Sequence, residues 1–172
     1  MLIHIAARFP LILMSLIVLG FCYQTNAQSS PTALFTVVTN EKDVLINTEQ
    51  SHRLQRIRDL PTTGSVHILR ANQPLSCGNE VTIPIPNQKM LVLSKTGGES
   101  LNSNDFTWFG VTKGQEPGSA TLIARNGEIS GSISTSLGVY RISPLGDGLY
   151  AIAEMDTRKL PPEEPPKRAA NH

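Results

Sequence analysis

Few residues of this 172-residue chain could carry nucleophilic or metal chemistry, and they are widely spaced. The cysteines and histidines are Cys22, Cys77, His4, His52, His67 and His172. No two histidines have the spacing of metal ligands, and neither an HExxH nor a GxSxG motif occurs. The paired carboxylates Glu163 and Glu164 lie in a proline-rich stretch that would not hold them rigidly for acid–base catalysis. The sequence therefore predicts no catalytic residue, no metal site and no cofactor, and we expect a protein that is not an enzyme.

Other polar and aromatic residues have both a structural and a functional interpretation. His67 lies inside a predicted strand and is interpreted as an ordinary sheet residue. The basic residues Arg53, Arg56 and Arg58 could attract an acidic partner, but a solvated helix face explains them without one. Trp108 could anchor an interface, as tryptophan often does, or fill the centre of a small core. The core interpretation is favoured because phenylalanines flank Trp108 in the sequence DFTWFG.

The charge balance excludes one class of function. The chain has 15 Lys and Arg residues against 14 Asp and Glu residues, a formal net charge of +1. Proteins dedicated to nucleic-acid binding usually show a basic domain or stripe, and none is visible here. We therefore expect no nucleic-acid partner.

The first 27 residues have the pattern of a secretory signal peptide. Arg8 is the only Lys, Arg, Asp or Glu before Glu41, and an apolar run extends over residues 9–23. Small residues before position 28 predict cleavage after Ala27, and hence a secreted or periplasmic protein with no stable membrane anchor. A retained anchor and a lipoprotein attached through Cys22 are the alternatives. After cleavage Cys77 would be the only cysteine, so it would be buried and inert, paired between molecules, or reactive.

The remaining sequence predicts a mainly β fold with one short helix. Leu54, Ile57 and Leu60 recur at a spacing of three, which predicts a helix over 49–60 that ends before Pro61. About eight short segments with alternating or β-branched residues then follow, separated by Gly, Pro or Asn. They predict an antiparallel β-sandwich or curled sheet. We divide the chain into a signal peptide (1–27), a lead-in (28–63), an all-β domain (64–157) and a proline-rich linker (158–172).

Two strand features are specific enough to test. Asn126-Gly127 lies between alternating runs and predicts a two-residue type I′ hairpin turn. EVTIPIP, residues 80–86, has prolines at alternate positions and is expected at a sheet edge or paired on one side only. The predicted core is Val66, Ile68, Val81, Ile83, Leu91, Leu93, Phe106, Trp108, Leu122, Ile129, Ile133, Tyr140, Ile142 and Ile152.

The order of these segments resembles a known family. The chain contains, in this order, EVTIPIPNQK, the aromatic motif FTWFG, the strand–turn–strand ATLIARNGEISGSI, YRISPLGDGLYAIAEMD and a proline-bearing linker. In that order they resemble the propeptide region of secreted bacterial zinc metallopeptidases of the metzincin type, such as peptidyl-Asp metalloendopeptidases and reprolysin-like precursors. The resemblance covers roughly residues 64–166.

The resemblance implies a prodomain, which assists the folding of a secreted metallopeptidase or covers its active-site cleft. It supplies no catalytic residue, because the family's HExxH motif is absent. It makes Cys77 a candidate thiol directed at the partner's zinc, although SCGNE does not match a thiol-switch motif. A strand such as 80–86 or 89–95 could add to a strand of the peptidase. A truncated peptidase precursor, or a stand-alone exported β-domain that binds a protein or ligand, are the alternatives.

Overall fold

The computed structural model describes residues 31–160, apart from 41–43, 45, 76–78, 87–89, 101, 103 and 115–116. The predicted signal peptide, Cys77 and the linker beyond Leu160 lie outside these residues. The one α-helix described is α1 (Thr48–Arg58), and a short 3₁₀ helix follows the last strand at Thr157–Lys159. The ten strands described are β1 (Thr32–Ala33), β2 (Phe35–Val37), β3 (Thr63–Ala71), β4 (Glu80–Ile83), β5 (Leu91–Ser100), β6 (Phe106–Thr112), β7 (Gly118–Arg125), β8 (Glu128–Thr135), β9 (Gly138–Gly146) and β10 (Leu149–Met155).

All ten strands belong to one sheet, which is nearly closed into a barrel. Strands β4 to β10 lie side by side in chain order and are antiparallel; β3 then pairs with β10 and β2 with β3. Strands β1 and β2 connect the two ends of the sheet. Both belong to one stretch, residues 31–38, called here the closing segment. On one side β1 runs parallel to β4 at Val81–Thr82, and on the other β2 pairs with the end of β3.

The mainly β prediction with one short helix is confirmed, and its curled-sheet form is the one observed. The expected edge position of residues 80–86 is wrong, because β4 lies between β1 and β5. The alternating prolines are accommodated because β4 ends at Ile83 and β1 pairs only with Val81 and Thr82. Pro84 and Pro86 therefore lie beyond the hydrogen-bonded ladder.

The barrel interior holds the main core. Of the 14 residues expected in the core, all are buried except Val66 and Leu91, which are half-buried. Trp108 is fully buried, which favours its interpretation as a core residue. Its indole packs over Gly110, where an added Cβ would lie 2.2 Å from Trp108 Cη2. The interior can therefore hold this large ring only because position 110 has no side chain.

A second, smaller core lies outside the barrel beneath α1. It contains Val44, Leu54, Ile68, Leu145, Leu149 and Ala151. Because α1 covers the outside of β10 while the barrel interior covers its other side, residues Leu149–Ala153 are all buried. The helix begins one residue earlier and ends two residues earlier than expected. Asn47 caps it, and Gln50 completes the capping box.

The Asn126-Gly127 hairpin prediction is confirmed. Asn126 has φ 51° and Gly127 φ 79°, as a type I′ turn requires. The turn joins β7 and β8, whose register runs from Arg125 opposite Glu128 to Gly118 opposite Thr135. The helix α1 packs mainly against β3 and β9, so β6 and these two strands are not among its main neighbours.

Candidate interaction surface

The structure separates the residues that sequence analysis considered for chemistry. His52 is exposed on α1, and His67 is half-buried on β3 opposite Ile152. Within the described ranges, no group of three or more His, Cys, Asp or Glu side chains could hold a metal ion. Cys77 lies outside the described residues, so its role as a zinc-directed thiol stays a hypothesis.

Arg53 and Arg56 of α1 border a shallow groove between the helix and β9. Arg53 Nε lies 3.1 Å from Glu49 Oε1, and this ion pair with its hydrogen bond lowers the pKa of Glu49. The groove has a volume of about 430 Å³ and is also lined by Arg56, Ile57 and Pro144. An exposed ion pair of this kind contributes little to stability or specificity. The groove is therefore a weaker candidate for partner binding than the surface described next.

The outer surface of strands β6, β7 and β8 is built from three cross-strand rows, and is called here the β6–β8 face. The rows are Thr107–Ile123–Ser130, Phe109–Thr121–Ser132 and Val111–Ser119–Ser134. Alternate residues of the same strands, such as Trp108 and Leu122, point into the barrel and are buried. None of the nine outward residues is charged. Charged residues stand only at its borders, for example Arg125 at the end of β7 and Arg141 on β9 opposite Ser132.

Two large exposed apolar side chains stand along β6, at one side of this face. Phe109 is 38% exposed and Val111 is 43% exposed. Phe109 is accessible partly because its neighbour on β5 is Gly97, which offers no side chain to cover the ring. Exposed aromatic and aliphatic side chains without charged neighbours are typical of the centre of a protein interface, although serine is less common there. The exposed Phe109 and Val111 make this face the candidate surface for contact with another molecule.

The clearest shifts of pKa belong to groups that hold turns and strands in place. Asp105 accepts hydrogen bonds from Asn102 Nδ2 and from the backbone N–H of Asn126, both at 2.9 Å, and these bonds lower its pKa. Burial raises the pKa of Tyr150, whose hydroxyl accepts from the Ile129 N–H at 3.3 Å. Arg158 lowers the pKa of Asp156 at the start of the 3₁₀ helix. These groups lie apart and have structural partners, so they do not mark an active site.

Sequence analysis did not single out Phe109 or Val111. The signal was present: once Phe106 and Trp108 are assigned to the core, the period of two along a strand places Phe109 and Val111 on the opposite face. The uncharged outer side of β8 from Ser130 to Ser134 was also readable, since these alternating serines fall on one side of the strand.

Comparisons with known proteins point to one group of enzymes. Residues of this chain are 21% identical over 125 positions to a peptidyl-Asp metalloendopeptidase of Xanthomonas campestris pv. campestris, covering 65% of this chain and 30% of that protein. They are 26% identical over 164 positions to peptidyl-Asp metalloendopeptidases of two Stenotrophomonas maltophilia strains, K279a and R551-3, covering 87% of this chain and 38% of each relative. No protein-family model and no solved structure matches the chain.

The similarity is therefore distant and partial. The chain spans between 30% and 38% of the length of these relatives. Among its described residues no helix is long and apolar enough to cross a membrane. What the comparisons establish is a relationship between this mainly β chain and part of the peptidyl-Asp metalloendopeptidases.

Proposed function

We propose that this protein is a non-catalytic prodomain-like barrel that binds a secreted zinc metallopeptidase and inhibits it or assists its folding. The observation that carries the proposal is the match to peptidyl-Asp metalloendopeptidases over 65–87% of this chain but only 30–38% of theirs. The matched region is shared with part of a longer peptidase, and its described residues hold no metal-ligating group. These two features support a non-catalytic domain that acts on the catalytic domain of such a peptidase.

The β6–β8 face is the surface we assign to that contact. It combines exposed apolar residues with hydroxyl side chains and places its charges outside the three rows. The strands 80–86 and 89–95, considered above for strand addition, are less suitable. Strand β4 is paired on both sides, and β5 pairs with β4 over Leu91–Ser94.

The test is inhibition of an active peptidyl-Asp metalloendopeptidase from one of the three related bacteria. The chain is purified and titrated against the enzyme while hydrolysis of an aspartate-containing peptide is followed. We expect saturable loss of hydrolysis, or faster recovery of activity when the denatured enzyme is refolded with the chain present. The absence of both effects and of binding by calorimetry would overturn the proposal and favour a stand-alone β-domain with another partner.

The surface assignment has its own test. The double variant Phe109→Ser/Val111→Ser should weaken binding at least tenfold, because the two large exposed apolar side chains of the face are lost. Leu137→Ser is the matched control, since Leu137 is 61% exposed and lies in the β8–β9 turn, outside the three rows. Equal loss in both variants, or none in the double variant, would place the contact elsewhere on the barrel.

A further inference from the structure

The closing segment is bound between two strands in the way that a peptide ligand is bound. The Leu34 N–H donates to Thr82 O of β4 at 3.1 Å, and Leu34 O accepts from the Asn72 N–H, just after β3, at 2.9 Å. Farther along, the Val38 N–H donates to Ile68 O at 2.9 Å. The segment changes partner at Leu34, from β4 before this residue to β3 after it.

The rest of the sheet is continuous without the closing segment. Strands β4 to β10 pair in unbroken order, and β3 completes the series by pairing with β10 over Thr63–Arg70. Strands β3 and β4 are therefore each paired on one side with β10 and β5, and on their other sides the described strand pairs are those with residues 32–37. This arrangement leaves a defined slot, called here the seam, between Leu69–Ala71 of β3 and Val81–Thr82 of β4.

The seam selects two consecutive large apolar residues. Leu34 is 0% exposed and Phe35 1% exposed, although neighbouring residues of a regular strand point to opposite faces. Both enter the main core because the chain changes partner between them. The Phe35 ring contacts the Tyr150 ring edge-on, with centroids 5.0 Å apart. Asn72 fixes the register: its Nδ2 donates to Ala33 O at 3.2 Å, and its Oδ1 accepts from Thr36 Oγ1 at 2.7 Å.

We propose that the seam is a strand-acceptor site for an extended peptide with two adjacent large apolar residues, and that the closing segment of a second copy of this chain fills it by exchange. A second copy carries, in its own residues 31–38, the side chains and backbone groups that make every contact of the seam. Residues 39–43 join the segment to Val44, which is packed in the core beneath α1, and five extended residues span up to about 17 Å, so the exchanging copies must lie close together. The exchange replaces each intramolecular bond with the same bond between copies. The proposal does not depend on a peptidase partner.

The test uses the whole chain and a synthetic peptide of residues 31–38 carrying a fluorescent label. In the unmodified chain the seam is occupied by its own segment at high effective concentration, so the peptide should bind weakly. The variant Leu34→Ser/Phe35→Ser weakens only the chain's own occupant, and we expect it to bind the unmodified peptide at least tenfold more tightly. A peptide with the same two serines is the matched control and should not bind.

A folded variant that binds the two peptides equally, or binds neither, would overturn the proposal. Because the variant can also fail to fold, a second measurement uses the unmodified chain. The Leu34 and Val38 amides should exchange with deuterium at least tenfold faster than those of Ile133 and Ile142, since the segment opens without unfolding the sheet. Exchange of all four amides at the same slow rate would show that the segment leaves only on global unfolding, and would also overturn the proposal.

Discussion

At the scale of single residues, Gly110 is a position that cannot accept a side chain unless a neighbouring group moves. An added Cβ would lie 2.2 Å from Trp108 Cη2 and 2.9 Å from the backbone oxygen of Ser94. We expect Gly110→Ala to lower the free energy of unfolding by about 3 kcal/mol, measured by urea denaturation, because the indole is enclosed and cannot move away. Gly97→Ala on the adjacent strand is the control. Its Cβ would meet only Phe109 Cδ2 at 3.9 Å, so a change of about 0.5 kcal/mol or less is expected. Equal costs would contradict this account of the Trp108 pocket.

Tyr150 gives a dependence of stability on alkaline pH. Burial raises its pKa above the ordinary value of 10.0, and unfolding would expose the phenol and let it ionise near that value. The native state is therefore favoured below about pH 10 and loses this advantage as pH rises through the native pKa. Tyr150→Phe should cost about 1 kcal/mol at neutral pH, because the Ile129 N–H loses its acceptor. It should also reduce the fall in the free energy of unfolding between pH 9 and pH 11. An unchanged alkaline fall would show that other groups cause it.

At the scale of elements, Gln50 joins α1 to the β9–β10 turn. Its Oε1 accepts from the Asn47 N–H at 2.9 Å, and its Nε2 donates to Gly146 O and to Asp147 Oδ2, both at 3.1 Å. Gln50 is buried, and it is the residue that anchors the helix start to the barrel. We expect Gln50→Ala to cost about 2 kcal/mol, because the capping box and the bonds to the turn are lost together.

Gln55 of the same helix is the matched control for Gln50. Gln55 is exposed, and its Nε2 donates a hydrogen bond to Asp59 Oδ1 just after the helix, with no hydrogen bond to the barrel among the described residues. The thermal unfolding of both variants is measured. Gln55→Ala should change the free energy of unfolding by less than about 0.5 kcal/mol. A cost for Gln55→Ala equal to that for Gln50→Ala would mean that general helix propensity explains both.

Elements with local signals could be predicted from the sequence, and elements built by distant pairing could not. The period of Leu54 and Ile57 indicated the helix, and Asn126-Gly127 indicated its hairpin. The helix was extended too far because Leu60 fits the period, yet it is exposed beyond the cap at Asp59. The closing segment escaped prediction as part of a barrel seam because its partners, Ala71 and Val81, lie tens of residues away. No local pattern encodes such a pairing.

The same distinction applies to the candidate surface. Alternation along β6 separates Trp108 from Phe109, so the direction of each side chain was readable. The assembly of three uncharged rows was not, because it depends on the register that places Phe109 opposite Thr121 and Thr121 opposite Ser132. A slip of one residue would turn the serines inward and the leucine and isoleucines of the core outward.

At the scale of the whole molecule, barrel closure depends on very few side chains. Leu34 is fully buried where the closing segment changes partner, whereas Val37 is 37% exposed on the same segment. Leu34→Ala should lower the free energy of unfolding by about 3 kcal/mol through the cavity it leaves. Val37→Ala should cost less than about 1 kcal/mol. Urea denaturation of both variants measures the difference, and similar values would mean that the segment contributes through its backbone bonds alone.

The pairing of β3 with β10 also sets the order in which a growing chain can complete this fold. Leu69 lies opposite Tyr150, about 80 residues later in the sequence. During synthesis β3 and the closing segment leave the ribosome early, whereas β10 is among the last described strands to be made. Until then one side of β3 has no neighbour, and a waiting strand of this kind is prone to join the wrong partner. The Val-His-Ile-Leu stretch of β3 is therefore the place where a chaperone would be needed longest.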